Sequence, residues 1–195
     1  MVGGPRYHVM FRRRRMNITD YQMRKTMISS KRTRVTVRFS GKYIYLQIIT
    51  ALPIGDKVLT AVCSKELEKF GWVASHQNTS AAYLSGLLLG KKASALSIDA
   101  AILDIGLRQP SKGARVFAVA KGMVDAGIQV PYDKRVLPRE ERIRGEHIAS
   151  YAKILSEEDQ QHYERLFSQY LSRGLKPEEL VGHFNNVKNN ILTAS

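Results

Sequence analysis

Between residues 34 and 49 the side chains alternate in polarity with a period of two, and nothing else in the chain constrains the fold as much. Arg34-Val35-Thr36-Val37-Arg38-Phe39 alternates, Ser40-Gly41-Lys42 interrupts, and Tyr43-Ile44-Tyr45-Leu46-Gln47-Ile48-Ile49 resumes. Successive side chains of a strand point to opposite faces, so this pattern predicts two strands of a half-buried sheet. The short interruption makes them a β-hairpin. Pro53, Gly55 and Asp56 supply the next turn, and residues 57–64, rich in small apolar side chains, form a third antiparallel strand.

The period then changes. Asn78 and Thr79 suit the N-cap of a helix running to about Leu89, with Ala81, Leu84, Leu87 and Leu88 apolar and Gly90 expected to end it. Ser85 and Gly86 are small enough to let that helix approach a sheet closely. Ala100-Ala101-Ile102-Leu103-Asp104-Ile105 reads as a buried strand. Ser111 is expected to open a second helix, with Val116, Val119, Ala120 and Met123 on one face and Gly127 at C′. A strand, a crossover helix and a second strand favour a parallel, right-handed connection. The class is α/β, with a mixed sheet in a strand-strand-strand-helix-strand-helix core over residues 32–131.

Pro131 and Pro138 bracket a linker, and residues 132–195 form a helical C-terminal extension. Its expected stripes are Ile148, Tyr151, Ala152 and Leu155; then Tyr163, Leu166, Phe167 and Tyr170, after a capped start at Ser156; then Leu180, Phe184, Val187 and Ile191, with Pro177 at N1. From residue 139 onward this part carries eight basic and nine acidic residues, so its charge does not recommend it as a nucleic-acid surface. Packing on the core or on a protein neighbour is the expected use of its apolar faces.

Charge sets the first 31 residues apart as a basic, extended arm. The chain carries a net +14, and residues 1–42 hold twelve Lys or Arg against a single acid, Asp20, a net of +11. The remaining 153 residues are close to neutral, at +3. Such local density needs a partner that rewards it, and a phosphate backbone does so through counterion release. Arginine outnumbers lysine nine to three in the same stretch, and guanidinium offers planar bidentate contacts to phosphate and stacks on bases. The candidate contacts there are Arg12, Arg13, Arg14, Arg15, Arg24, Lys31, Arg32, Arg34 and Arg38. Tyr7, Phe11 and Tyr21 are interleaved as flat faces for unpaired bases. Four consecutive arginines would wrap all sides of a helix, leaving no clean apolar face for a membrane surface. The density also predicts an arm that orders on RNA.

Catalytic chemistry finds no candidate set. The strand order also fits ribonuclease H-like nucleases, but two-metal hydrolysis needs converging carboxylates. The first strand and first helix have none, leaving Asp104 and Asp99 unsupported, and Asp104 reads as a satisfied structural carboxylate. His8, His76, His147, His162 and His183 show no metal-ligand spacing with Cys63, so neither metal nor cofactor is expected. The single cysteine reads as a buried thiol in a reducing compartment. No apolar run approaches membrane-spanning length, so a cytoplasmic location is expected. Gly86-Leu87-Leu88-Leu89-Gly90-Lys91-Lys92 is one residue short of a phosphate loop and reads as core packing with a helix C-terminus. Lys112, placed at an expected helix start, is a better minor anion site.

Gly4-Pro5-Arg6-Tyr7, Thr19-Asp20-Tyr21, Asn78-Thr79-Ser80-Ala81-Ala82-Tyr83, Leu103-Asp104-Ile105-Gly106-Leu107 and Lys121-Gly122-Met123-Val124-Asp125-Ala126-Gly127, with the arginine run, occur in one order. Together they resemble the archaeal form of the 5S-rRNA-binding large-subunit ribosomal proteins, the universal protein eighteen family, related to eukaryotic large-subunit protein five. The resemblance covers the arm and core, and the tail in outline. It implies a compact α/β domain that clamps 5S rRNA, an arm threading between 5S and large-subunit rRNA in the central protuberance, neighbouring ribosomal proteins as further partners, and no enzymatic role. Carried over by position, Arg12 to Arg15 and Tyr21 belong to the RNA-contacting arm, Asn78 and Thr79 to a loop facing RNA, and Lys112 to the loop before the second helix. Ser111-Lys112-Gly113-Ala114-Arg115 departs from the Thr-rich approach that relatives often have there. Two other readings stand beside this one: a metal-dependent nuclease and a non-ribosomal RNA chaperone.

Overall fold

The computed structural model describes residue 4 and residues 8–194; Arg6 and Tyr7 of the arm lie outside the described residues. In chain order it has α1 (Arg12–Arg15), α2 (Tyr21–Ser29), β1 (Arg34–Phe39), β2 (Ile44–Leu52), β3 (Gly55–Cys63), α3 (Thr79–Ala95), β4 (Ile102–Asp104) and α4 (Arg115–Asp125). The tail adds α5 (Glu140–Arg144), α6 (Glu146–Glu158), α7 (Gln160–Leu166), α8 (Ser168–Ser172) and α9 (Leu180–Thr193). The sheet order is β3-β2-β1-β4, antiparallel through the first three strands and parallel where β4 joins β1.

The hairpin register sets Val35 opposite Ile48, Val37 opposite Leu46 and Phe39 opposite Ile44. All but the partly buried Phe39 are fully buried, on the face covered by helices. The opposite face carries Arg34, Thr36 and Arg38 beside Ile49, Gln47 and Tyr45. Cys63, at the end of β3, is half-buried.

Helix α3 is the axis of the molecule: thirteen of its seventeen residues are buried, so it is enclosed on several sides. Asn78 caps it, its Oδ1 accepting from the Ala81 N–H at 2.7 Å. The helix does not stop at Gly90 but runs on to Ala95. Gly90 is spent on packing, because a Cβ there would meet Ala126 and Met123. Gly86 and Gly122 do the same further along, where a Cβ on either would overlap the backbone carbonyl of Val119 or Tyr83. The α3–α4 crossing is therefore a backbone-to-backbone contact. Helix α4 begins at Arg115 and not near Ser111, which leaves Lys112 in the preceding loop, and Gly127 follows its C-cap with φ +98°.

The arm is not wholly extended. Arg12–Arg15 form one helical turn, and Asp20, the arm's only acid, caps α2 by accepting from the Gln22 and Met23 N–H groups at 3.0 Å each. A single well-placed cap outweighs the like charge locally.

In the tail, Leu180, Phe184, Val187 and Ile191 bury one face of α9 in the same apolar cluster as the sheet and α3. Lys91 of α3 fastens the end of α9, its Nζ donating to the Ile191, Leu192 and Ala194 carbonyls at 2.9, 2.8 and 2.6 Å. Two stripes differ from expectation. Tyr151 and Leu166 stand 45% and 50% exposed, while Ala149 joins Ala152 and Leu155 inside. Ser156 lies within α6, and Asp159 caps the next helix.

Candidate nucleic-acid interface

The basic residues of the arm and sheet fall into two populations. Arg34 is 1% exposed, so it is not a surface cation. Its guanidinium lies between Asp56, at 2.8 Å, and Asp104, at 3.5 Å. A charge cannot be buried unless it is paired, and the outward phase of β1 aims Arg34 at both acids. Arg38 meets Asp104 at 2.9 Å and donates to its backbone carbonyl at 2.8 Å; Arg24 meets the other oxygen of Asp56 at 2.8 Å. Arg24, Asp56, Arg34, Asp104 and Arg38 thus form one alternating chain of charge from α2 across the sheet. Arg34 is corrected from an RNA contact to an internal brace, while Arg24 and Arg38 stay partly exposed at the ends of the chain. Asp104 is a satisfied carboxylate, held by two guanidiniums and the Gly106 N–H.

The second population is open. Arg12, Arg14 and Arg15 are exposed and make no side-chain hydrogen bond or ion pair among the described residues, while Arg13 donates to Thr19 Oγ1 at 2.9 and 3.0 Å. Phe11 and Tyr21 are exposed beside them. Lys31 and Arg32 are exposed at the junction of arm and core.

The remaining predicted residues, Asn78, Thr79 and Lys112, come together. They line a cleft of about 580 Å³ where the end of β1 meets the N-termini of α3 and α4, the position where open α/β sheets take ligands. Four residues that sequence reasoning missed complete it: Arg108, Arg115, Arg142 and His147. Arg108 and Arg115 place their guanidiniums 4.5 and 4.7 Å from the Phe39 ring centroid, so the aromatic face orients them. Burial and the nearby Arg108 charge push the Arg115 pKa down, and burial with Arg142 does the same to His147. Among the described residues, no carboxylate lines this cleft. Arg115 lay four residues into the helix expected from Ser111, and only the later start of α4 puts it at a helix N-terminus; Arg142 and His147 come from the charge-balanced tail and carried no signal. A second cleft of about 460 Å³ adjoins through Phe39 and Arg108 and reaches Arg13 and Arg38, joining the arm to this end of the sheet.

The family model described as ribosomal large subunit proteins 60S L5 and 50S L18 matches residues 5–99 and 94–133. Among curated proteins, the chain is 52% identical over 195 residues to the large ribosomal subunit protein uL18 of Desulfurococcus amylolyticus, covering 100% of this chain and 98% of that one. It is 48% identical over 189 residues to the uL18 of Aeropyrum pernix, covering 96% and 88%. It is 47% identical over 193 residues to that of Caldivirga maquilingensis, covering 98% and 93%. With the arm, the core and the tail all inside these matches, the chain belongs to the family of ribosomal large subunit proteins 60S L5 and 50S L18.

Proposed function

We propose that the chain is a structural constituent of the large ribosomal subunit that binds 5S rRNA and helps attach it to large-subunit rRNA in the central protuberance. The observation that carries this reading is the distribution of counter-charge. Asp56 and Asp104 are used on Arg24, Arg34 and Arg38, whereas Arg12, Arg14, Arg15 and the cations of the cleft have no carboxylate partner among the described residues. Cations left without carboxylate partners suit a polyanion that releases its counterions on binding. The names of the relatives support the ribosomal setting. Phosphate contacts fix position, and the exposed rings of Phe11 and Tyr21 offer stacking to unpaired bases. The outer face of the tail, with Tyr151 and Ile154 exposed, is left for neighbouring ribosomal proteins.

The test is 5S rRNA binding as a function of salt, for the full chain and for a chain lacking residues 1–31. If the four arginines of α1 engage one phosphate each, deletion lowers the log-log slope by about 3 units or more. An unchanged slope would remove the arm from the interface. Competition with tRNA separates this reading from an RNA chaperone, which would bind diverse RNAs with comparable affinity and so give up 5S rRNA to tRNA.

A further inference from the structure

We propose that the cleft between the N-termini of α3 and α4 is a built seat for a single phosphate group, which in the assembled state is one phosphodiester of the bound RNA; the RNA as its source rests on the function proposed above. Three independent features converge on an anion. The first is backbone. Helix α4 has Ala114 at its N-cap, a residue with no side-chain acceptor, so the Arg115 and Val116 N–H groups face the cleft without a partner among the described residues. Helix α3 presents its own first turn to the same space, with Asn78 accepting only from Ala81.

The second feature is an unused polar side chain. Thr79 lines the cleft, is 8% exposed, and its hydroxyl makes no hydrogen bond among the described residues. Asn78 Nδ2, beside it, is buried and also without a partner. A buried donor such as Asn78 Nδ2 costs stability unless something accepts from it. The third feature is charge. Arg108, Lys112, Arg115 and Arg142 border the cleft, none of them forms an ion pair among the described residues, and the two guanidiniums over Phe39 repel one another. Lys112 adds to the lowering of the Asp133 pKa, but Asp133 is itself paired with Arg135. Fixed amide dipoles, an unpartnered hydroxyl and clustered cations facing one space suit a single compact oxyanion, such as the two non-bridging oxygens of one phosphodiester.

A seat of this type makes a prediction that a diffuse basic patch does not. The salt slope counts neutralised phosphates and not cations. The triple variant Arg108→Ala, Lys112→Ala, Arg142→Ala removes three side chains that make no hydrogen bond among the described residues and only one stacking contact, Arg108 on Phe39, so an unchanged melting temperature is expected and checked first. With full-length protein and 5S rRNA, the seat predicts at least a tenfold rise in Kd together with a loss of only about 1 unit of slope. A loss of about 3 units means each cation serves its own phosphate, and no change in Kd means the cleft is unused; either overturns the seat and leaves the 5S reading standing. In parallel, inorganic phosphate is titrated into the isotope-labelled full chain, against chloride at equal ionic strength. Saturable amide shifts at Thr79, Ser80, Arg115 and Val116, absent in the triple variant, support the seat. Non-saturating shifts spread equally along residues 8–31 overturn it. If the wild type shows no preference for 5S rRNA, the proposed function fails, and the phosphate titration still judges the seat by itself.

Discussion

Arg34 shows how much one side chain depends on its partners. Its guanidinium is buried between Asp56 and Asp104, so removing either acid strands a charge in a low-dielectric interior. Asp104→Ala is expected to lower stability by about 3 kcal/mol, read as a lower urea midpoint with an unchanged slope. If the midpoint stays, the ion chain is decorative. Histidine gives the second prediction at this scale. Burial lowers the pKa of His183 and is the largest cause of the lowering at His76 and His147. The His183 Nε2 accepts from the Val73 N–H at 3.2 Å, and its ring stacks on the buried Trp72. With the folded pKa below the ordinary 6.5, the unfolded chain takes up protons first as pH falls. Stability is therefore full above that value and declines below it, through the depressed folded pKa. Urea midpoints at pH 7.5 and pH 5.5 should differ, and His183→Gln should flatten the difference. Neither effect was legible in the chain order: the acids lie 22 and 70 residues from Arg34, and His183 lies 110 residues from Val73.

At the scale of elements, the α3–α4 crossing carries the tightest constraint. Gly86 faces Val119 and Gly122 faces Tyr83, and in each case a Cβ would enter backbone that cannot swing aside. Gly122→Ala is expected to cost about 2 to 3 kcal/mol through overpacking, despite the better helix propensity of alanine. An alanine variant with wild-type thermal stability would show that the crossing yields. The same contact explains why α3 outruns its sequence signals: Gly90 looks like a breaker in a list of residues, and Gly86 like an approach to the sheet, but helix α4 occupies the space left by their missing side chains. The hairpin behaved otherwise. Its alternation, its turn and its inward residues match the observed register, because period-two burial is decided by neighbours on the same strand.

For the whole molecule, the two ends of the chain carry opposite weights. Helix α2 buries no residue and is tied to the body by the exposed Arg24–Asp56 pair, worth about 1 kcal/mol or less. Deleting residues 1–31 should leave the melting temperature within a few degrees. The tail has a different role, since Leu180, Phe184, Val187 and Ile191 share the core with α3. Each buried apolar side chain contributes roughly 1.5 to 3 kcal/mol, so ending the chain at residue 174 removes a sum comparable to the whole stability of a domain. A cooperative thermal transition by circular dichroism in that truncation would overturn this. Residues 132–195 are thus part of the core in energetic terms, although their composition reads as an extension. By itself the sequence determined the α/β class, the hairpin, the faces of α4 and α9 and the concentration of charge in the arm, all of which follow from local periodicity and local counts. Only the tertiary structure decided which cations are spent and which are free. Arg34 and Arg12 are the same residue type in the same basic stretch, but one meets two distant carboxylates and the other meets none among the described residues. The cleft was decided in the same way: Arg108, Lys112, Arg115, Arg142 and His147 converge because packing folds loop and tail onto two helix N-termini, and long-range packing leaves no period in the chain.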